Sequence, residues 1–169
     1  MGVVVMGVSG AGKSVVAARL ADALGYVFVD GDDLHGAANL AKMRLGQALT
    51  DADREPWLRR VAAWLRDRPD GAVVACSALR RSYRDVLREA GPDVVHVHLD
   101  ALVGTLAARM ARREHFMPSA LLPSQLEALE PLGPDEPGVT IAADAPLDDV
   151  VARCLAALFA LGEGPTRLG

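Results

Sequence analysis

Short apolar runs alternate along the chain with stretches that carry helical spacing. Val3 to Met6 ends in glycine, as a buried parallel strand does. Residues 13 to 24 follow, with Val16, Leu20 and Leu24 on one face and Gly25 as the stop. Tyr26 to Val29 reads as a second strand and residues 34 to 46 as a short helix ending at Gly46. Asp51 to Arg68 reads as a helix, with Pro56 in its first turn and Trp57, Val61, Trp64 and Leu65 on one side. A third strand over Ala72 to Cys76 leads to a helix over Ser82 to Ala90, closed by Gly91-Pro92. Val94 to Leu99 is a fourth strand, and Leu102 to Arg113 the helix after it. Residues 114 to 130 break at Pro118 and then turn helical again. Val139 to Ala142 is a fifth strand, Leu147 to Leu161 a closing amphipathic helix, and the tail from Gly162 is expected to fray. Strands separated by helices predict an α/β fold of three layers, a parallel sheet covered on both faces.

Composition narrows the reading. The 169 residues suit one domain, 1-169, with 51% hydrophobic and 24% charged residues. A net charge of -4 gives no basic field for nucleic acid, and no apolar stretch reaches membrane-spanning length. No secretory leader is visible, so the cytoplasm is the expected address. Cys76 and Cys154 lie in apolar runs and read as reduced core thiols; with four His and no ligand spacing, no zinc site is supported. Arginines crowd the middle of this acidic chain, which points to recognition of small anions.

The sharpest signal is Gly7-Val8-Ser9-Gly10-Ala11-Gly12-Lys13-Ser14, a full G-x-x-x-x-G-K-[ST] match between a strand and a helix. Glycines let backbone N–H groups turn inward and approach phosphate oxygens, and the positive end of the following helix adds to that field. Lys13 is placed to reach the β- and γ-phosphates of ATP, and the Ser14 hydroxyl to meet Mg²⁺. Gly7, Ser9, Gly10, Ala11 and Gly12 complete the cradle.

The second strand opens into Asp30-Gly31-Asp32-Asp33-Leu34-His35, three carboxylates at the sheet edge where ligands of open α/β folds bind. Such groups hold Mg²⁺ through water, accept bonds from hydroxyls, or take a hydroxyl proton. Asp33 reads equally well as a helix cap. Arg54 sits in the first turn of a helix, an end that disfavours cations, and an anionic ligand would explain it. Arg80 and Arg81 follow the third strand to the same edge, and one of them is expected to face solvent.

These segments together resemble the gluconokinase family. The likeness rests on the phosphate loop, on Asp30 to His35, Asn39, Lys42-Met43, Gly46, Leu49-Thr50-Asp51, Asp53-Arg54 and Pro56-Trp57-Leu58. It continues through Cys76-Ser77-Ala78-Leu79, Arg81, Tyr83, Arg84, His115-Phe116-Met117-Pro118, Leu121-Leu122, Ser124-Gln125 and Leu129-Glu130. Gly36 and Ala48 stand where such proteins often carry proline. The resemblance implies ATP-dependent phosphorylation of D-gluconate by a P-loop kinase fold with a five-stranded parallel sheet and a mobile lid, here about 112-130, and a homodimer. It further implies that Asp32 contacts the acceptor hydroxyl and serves as base, that Asp30 sits behind magnesium, and that His35, Arg54 and Arg81 hold the acceptor, with Arg80 behind them.

The fourth helix ends in Arg109-Met110-Ala111-Arg112-Arg113, where Arg109 and Arg113 share a face. We expect Arg113 or Arg109 to neutralise charge on the transferring phosphoryl group, Arg112 to be surface, and His115 to be a packing residue. Ala143-Asp144-Ala145-Pro146 is a candidate adenine wall. Two other readings stay open: a small kinase acting on shikimate or a nucleoside monophosphate, and a nucleotide-binding switch without transfer chemistry.

Overall fold

The computed structural model describes residues 1–45, 47–112 and 122–162. Its strands are β1 (Gly2–Met6), β2 (Val27–Asp30), β3 (Ala72–Ala75), β4 (Val94–Asp100) and β5 (Gly138–Ala142). They form one parallel sheet in the order β2-β3-β1-β4-β5. The helices are α1 (Lys13–Leu24), α2 (Ala37–Arg44), α3 (Asp51–Arg66), α4 (Arg81–Arg88), α5 (Val103–Arg112), α6 (Leu122–Ala128) and α7 (Leu147–Gly162).

Successive side chains on a strand point to opposite faces, so central β1 divides itself between two cores. Val3 and Val5 pack with Val16, Ala17 and Leu20 of α1 and with Val150, Cys154 and Leu158 of α7. Val4 and Met6 pack with Trp57, Leu58, Val61 and Leu65 of α3 and Leu87 of α4. With both faces covered, β1 reads as an unbroken apolar run rather than an alternating one. Cys76 and Cys154 are free and buried, as expected.

Four local details depart from the expected elements. The chain leaves β2 through one turn of 3₁₀ helix over Gly31–Leu34, which the periodicity did not announce. Helix α3 stops at Arg66 rather than Arg68, and α4 at Arg88 rather than Ala90. Pro56 lies inside α3, beyond its first turn. The helix tolerates it because its start is firmly fixed: Thr50 accepts from the Asp53 N–H, and the Asp53 carboxylate accepts from the Thr50 N–H. Trp64 is only half-buried: it packs against the edge of the core that holds Trp57 and lies under the Arg68 guanidinium at 4.0 Å.

Candidate active site

The glycine-rich loop joins central β1 to α1, at the point where the strand order turns from β3 on one side to β4 on the other. Gly7 has φ +139, and a Cβ there would meet the Leu99 carbonyl at 2.7 Å. Gly12 caps α1 at φ 94 with no side-chain bond, and the first turn of α1 carries no acidic residue. The orphan N–H groups of this helix end are left for an anion. The loop is held from three directions. The Gly7 N–H donates to Ser77 at 3.2 Å, Lys13 Nζ donates to the Val8 carbonyl at 3.1 Å, and the Ser9 N–H donates to Gln125 Oε1 at 2.7 Å. Gln125, on α6, is thus a neighbour of the loop that the sequence signalled only through its resemblance.

Beside the loop lies a cavity of about 330 Å³ lined by Gly10, Ala11, Gly12 and Val15, by Arg109, and by Ala143 and Ala145. Arg109 donates to the Ala143 carbonyl at 2.8 Å, which fixes the guanidinium on this side. Asp144, between the two alanines, turns away to accept from the Leu102 N–H. Of the four residues 143 to 146, Ala143 and Ala145 line this cavity. Arg113 and the His115-Phe116-Met117-Pro118 segment lie outside the described residues, as do residues 113 to 121 of the expected lid.

Across the loop stand the carboxylates. Asp30 caps the 3₁₀ turn by accepting from the Asp32 N–H at 3.1 Å. Trp57 Nε1 donates to the Gly31 carbonyl at 2.7 Å and fastens the turn to α3. Asp32 projects from this turn with its side chain 63% exposed. Its carboxyl is held above its ordinary range, by loss of hydration first and then by Asp30, with Asp33 adding a little; Lys13 opposes the shift. The phosphate-loop ammonium is therefore near enough to Asp32 to act on its charge.

His35 lies behind Asp32 and is 9% exposed, so it is a buried neighbour of the acceptor side rather than an open ligand. Its ring stacks on Trp57 at 4.2 Å, Asn39 Nδ2 approaches its Nδ1 at 3.2 Å, and its Nε2 is 3.8 Å from Asp32 Oδ1. Burial, with Arg60 and Arg54 nearby, pushes the imidazole down to about 4.

The arginines separate. Arg54 and Arg80 converge on the Tyr83 ring, 5.8 and 5.9 Å from its centroid, and on Asp51 between them, at 3.6 and 2.9 Å. Tyr83 also donates its hydroxyl to Asp51. The tyrosine bond first and the two guanidiniums next hold the Asp51 carboxyl below its usual range. Arg54 thus has an internal anion beside it, which the sequence reading had sought in a ligand. Arg81, expected on the acceptor, instead makes a two-pronged pair with Asp135, and its backbone N–H donates to Glu130. As the first residue of α4 it points toward the 130–136 loop, and Arg80 takes the place beside Arg54.

Composition also concealed Arg84, which is fully buried. It grips Glu136 at 2.6 and 2.9 Å and donates to the carbonyls of Ala78, Leu79, Glu130 and Pro131. It thereby braces Ala78, a non-glycine residue at φ 44, next to the Ser77 carbonyl that receives Gly7. No spacing rule marks an arginine for such a role; only its place in the quoted resemblance singled it out.

A central strand, an open loop and a lysine on a helix N-terminus, faced by a carboxylate row, define the P-loop kinase fold. Shikimate kinase from Aquifex aeolicus shares it at TM-score 0.63 and 16% identity, over 98% of this chain and all of that one. A family model described as an AAA domain matches residues 3–132. The gluconokinase of Gluconobacter oxydans is 52% identical over 156 residues, 90% of this chain and 88% of the relative. The thermoresistant gluconokinase of Escherichia coli is 41% identical, with 90% of each chain covered. A gluconokinase structure from Sinorhizobium meliloti superposes at TM-score 0.88 with 46% identity, covering 96% and 93%. The chain belongs to the gluconokinase family.

Proposed function

We propose that this chain transfers the γ-phosphoryl group of ATP to D-gluconate, giving 6-phospho-D-gluconate and ADP. The observation that carries the mechanism is the Asp32 carboxylate, set on the turn after β2 within electrostatic reach of the Lys13 ammonium. The amides of the loop and of the α1 N-terminus bind the polyphosphate, and Lys13 leaves the Val8 carbonyl to meet its outer phosphates. Arg109 holds the nucleotide from the far side of the cavity. Arg54 and Arg80, already positioned around a carboxylate, take the acid end of the acceptor. Its terminal hydroxyl is then aimed between Asp32 and the γ-phosphorus. The oxygen attacks, its proton passes to Asp32, and the bond to the ADP oxygen breaks. A carboxylate with a raised pKa is the better base for that proton.

Ser14 and Asp30 are hard oxygen donors of the kind magnesium accepts. Among the described residues no cluster of three or more His, Cys, Asp or Glu is set to hold a metal ion. When bound, it would neutralise phosphate charge. The cytoplasm, with its ATP and its reducing poise, fits a protein with two buried free thiols.

The test is ADP release measured with gluconate, shikimate and nucleoside monophosphates in turn. Turnover with gluconate alone is expected. Turnover with shikimate or a nucleotide instead would reassign the acceptor, and nucleotide binding without any acceptor-dependent turnover would make the protein a switch.

A further inference from the structure

The Asn39 side chain is 7% exposed and takes no direct part in the mechanism above. Its Nδ2 donates to the Asp53 carbonyl at 2.9 Å. A carbonyl only accepts, so this bond decides which end of the amide is nitrogen. The same Nδ2 lies 3.2 Å from His35 Nδ1. Its second hydrogen therefore needs a lone pair on Nδ1, and the ring proton of a neutral imidazole must reside on Nε2. That nitrogen faces Asp32 Oδ1 at 3.8 Å. The arrangement is anchored further out: Lys42 bonds both Asp53 oxygens at 2.7 and 2.8 Å and ties α2, which carries Asn39, to α3. Stacking on Trp57 fixes the plane of the ring.

We propose that Asn39 is a positioning residue for phosphoryl transfer, which locks His35 in its Nε2–H tautomer so that the ring offers a donor, not a lone pair, to Asp32. The opposite tautomer would set a lone pair against a carboxylate oxygen. Once the two groups close, the donor would hold Oδ1 and leave Oδ2 for the acceptor hydroxyl. At 3.8 Å the two groups approach without a hydrogen bond, within reach of a small shift of the turn. Burial foremost, and then Arg60 and Arg54, disfavour protonation of the ring, so it stays a neutral donor. The inference rests on the kinase reading and adds a geometric requirement to it.

The test uses the full chain. In the unaltered protein, nitrogen-15 shifts of the His35 ring are expected to show protonated Nε2 and bare Nδ1; the reverse overturns the proposal. Asn39→Ala should mix the tautomers and lower kcat roughly tenfold or more, the scale seen when outer partners that orient a functional histidine are removed, with KM for ATP unchanged. His35→Gln supplies an N–H at similar reach, and in that background Asn39→Ala should lower kcat no further. An equal loss in both backgrounds, or an unchanged kcat in Asn39→Ala alone, overturns the proposal. If Asn39→Ala fails to fold, the tautomer in the unaltered chain decides. Failure of the kinase reading shows separately, as absent gluconate-dependent turnover in the unaltered chain.

Discussion

The two sides of the cleft hold their ligands by different means. On the phosphate side the work is done by backbone: a glycine loop, an uncapped helix end and one ammonium group, all within residues 7 to 14. On the acceptor side it is done by side chains gathered from residues 30 to 83, each held by another: Trp57 on Gly31, Asn39 on His35, Asp51 between Arg54 and Arg80. A backbone cradle depends on local conformation and tolerates change around it. A side-chain net depends on many distant residues keeping their places, and under the proposed function selectivity for the acceptor lies there.

Lys13→Ala strikes the phosphate side at the one charged side chain of the glycine-rich loop. Turnover should fall by about a thousandfold, the scale at which charge stabilisation acts on a transferring phosphoryl group. The fold should melt as before, because Lys13 is at the surface of the cleft. Near-normal kcat would show that the backbone amides suffice. Asp32→Asn strikes the other side, and kcat should fall roughly a hundredfold or more with ATP affinity retained, as expected for loss of a general base. A change confined to ATP binding would move Asp32 to the nucleotide side.

Acid should also discriminate. His35 and His96 are both buried and both pushed down to about 4, by burial foremost. Both lie on the α3 and α4 side, whereas Val95, Val97 and Leu99 face α1 and α7. As pH falls below about 6.5 the unfolded chain takes up these protons and the folded chain does not. Stability is therefore intact above that value and declines down to about 4, by roughly 1.4 kcal/mol per pH unit for each ring. Urea melts across that range should show the slope, and His96→Met, which removes a ring whose two nitrogens lack partners among the described residues, should make it shallower. A flat profile would mean that these rings find protons or partners in the folded state.

Arg80 and Arg81 offer a smaller but sharper contrast. Arg80→Ala should raise the KM for gluconate about tenfold, since charge-assisted bonds contribute about 1.5–3 kcal/mol. Arg81→Ala should leave that KM within about twofold, because an exposed pair with Asp135 contributes little to a distant ligand. The reverse result would restore Arg81 to the acceptor pocket.

The phosphate side could be read from sequence because its information is contiguous: glycine positions, a lysine and a strand before them. Asp30 and Asp32 were visible for a related reason, as carboxylates at the end of a strand. The net behind them was not. Arg80 and Arg81 are adjacent, and only the rotation at the start of α4 sends one toward Arg54 and the other toward Asp135. Arg84 looks like any helix arginine until the 130–136 loop folds over it and Glu136 meets it. Pairings across that many residues are set by tertiary packing, which spacing does not record.

Gly36 tests whether a loop beside the side-chain net can be stiffened without disturbing it. Gly36 already has φ -76 and ψ 162, an extended conformation that proline adopts without strain. The residue caps α2, and among the described residues no bond from its N–H is recorded that a ring would remove. The obstacle is the Arg60 guanidinium, whose nearest nitrogen would stand 3.0 Å from an added Cβ. Arg60 is anchored to the Leu34 carbonyl through Nε alone, so its outer nitrogens can swing aside. Gly36→Pro should therefore stabilise the fold by about 0.4–1 kcal/mol, through lost freedom of the unfolded chain, with kcat unchanged. A lower melting temperature would mean that Arg60 cannot yield. A raised melting temperature with a fallen kcat would mean that the turn carrying Asp32 and His35 must move during the reaction, and that the side-chain net, unlike the backbone cradle, works by closing.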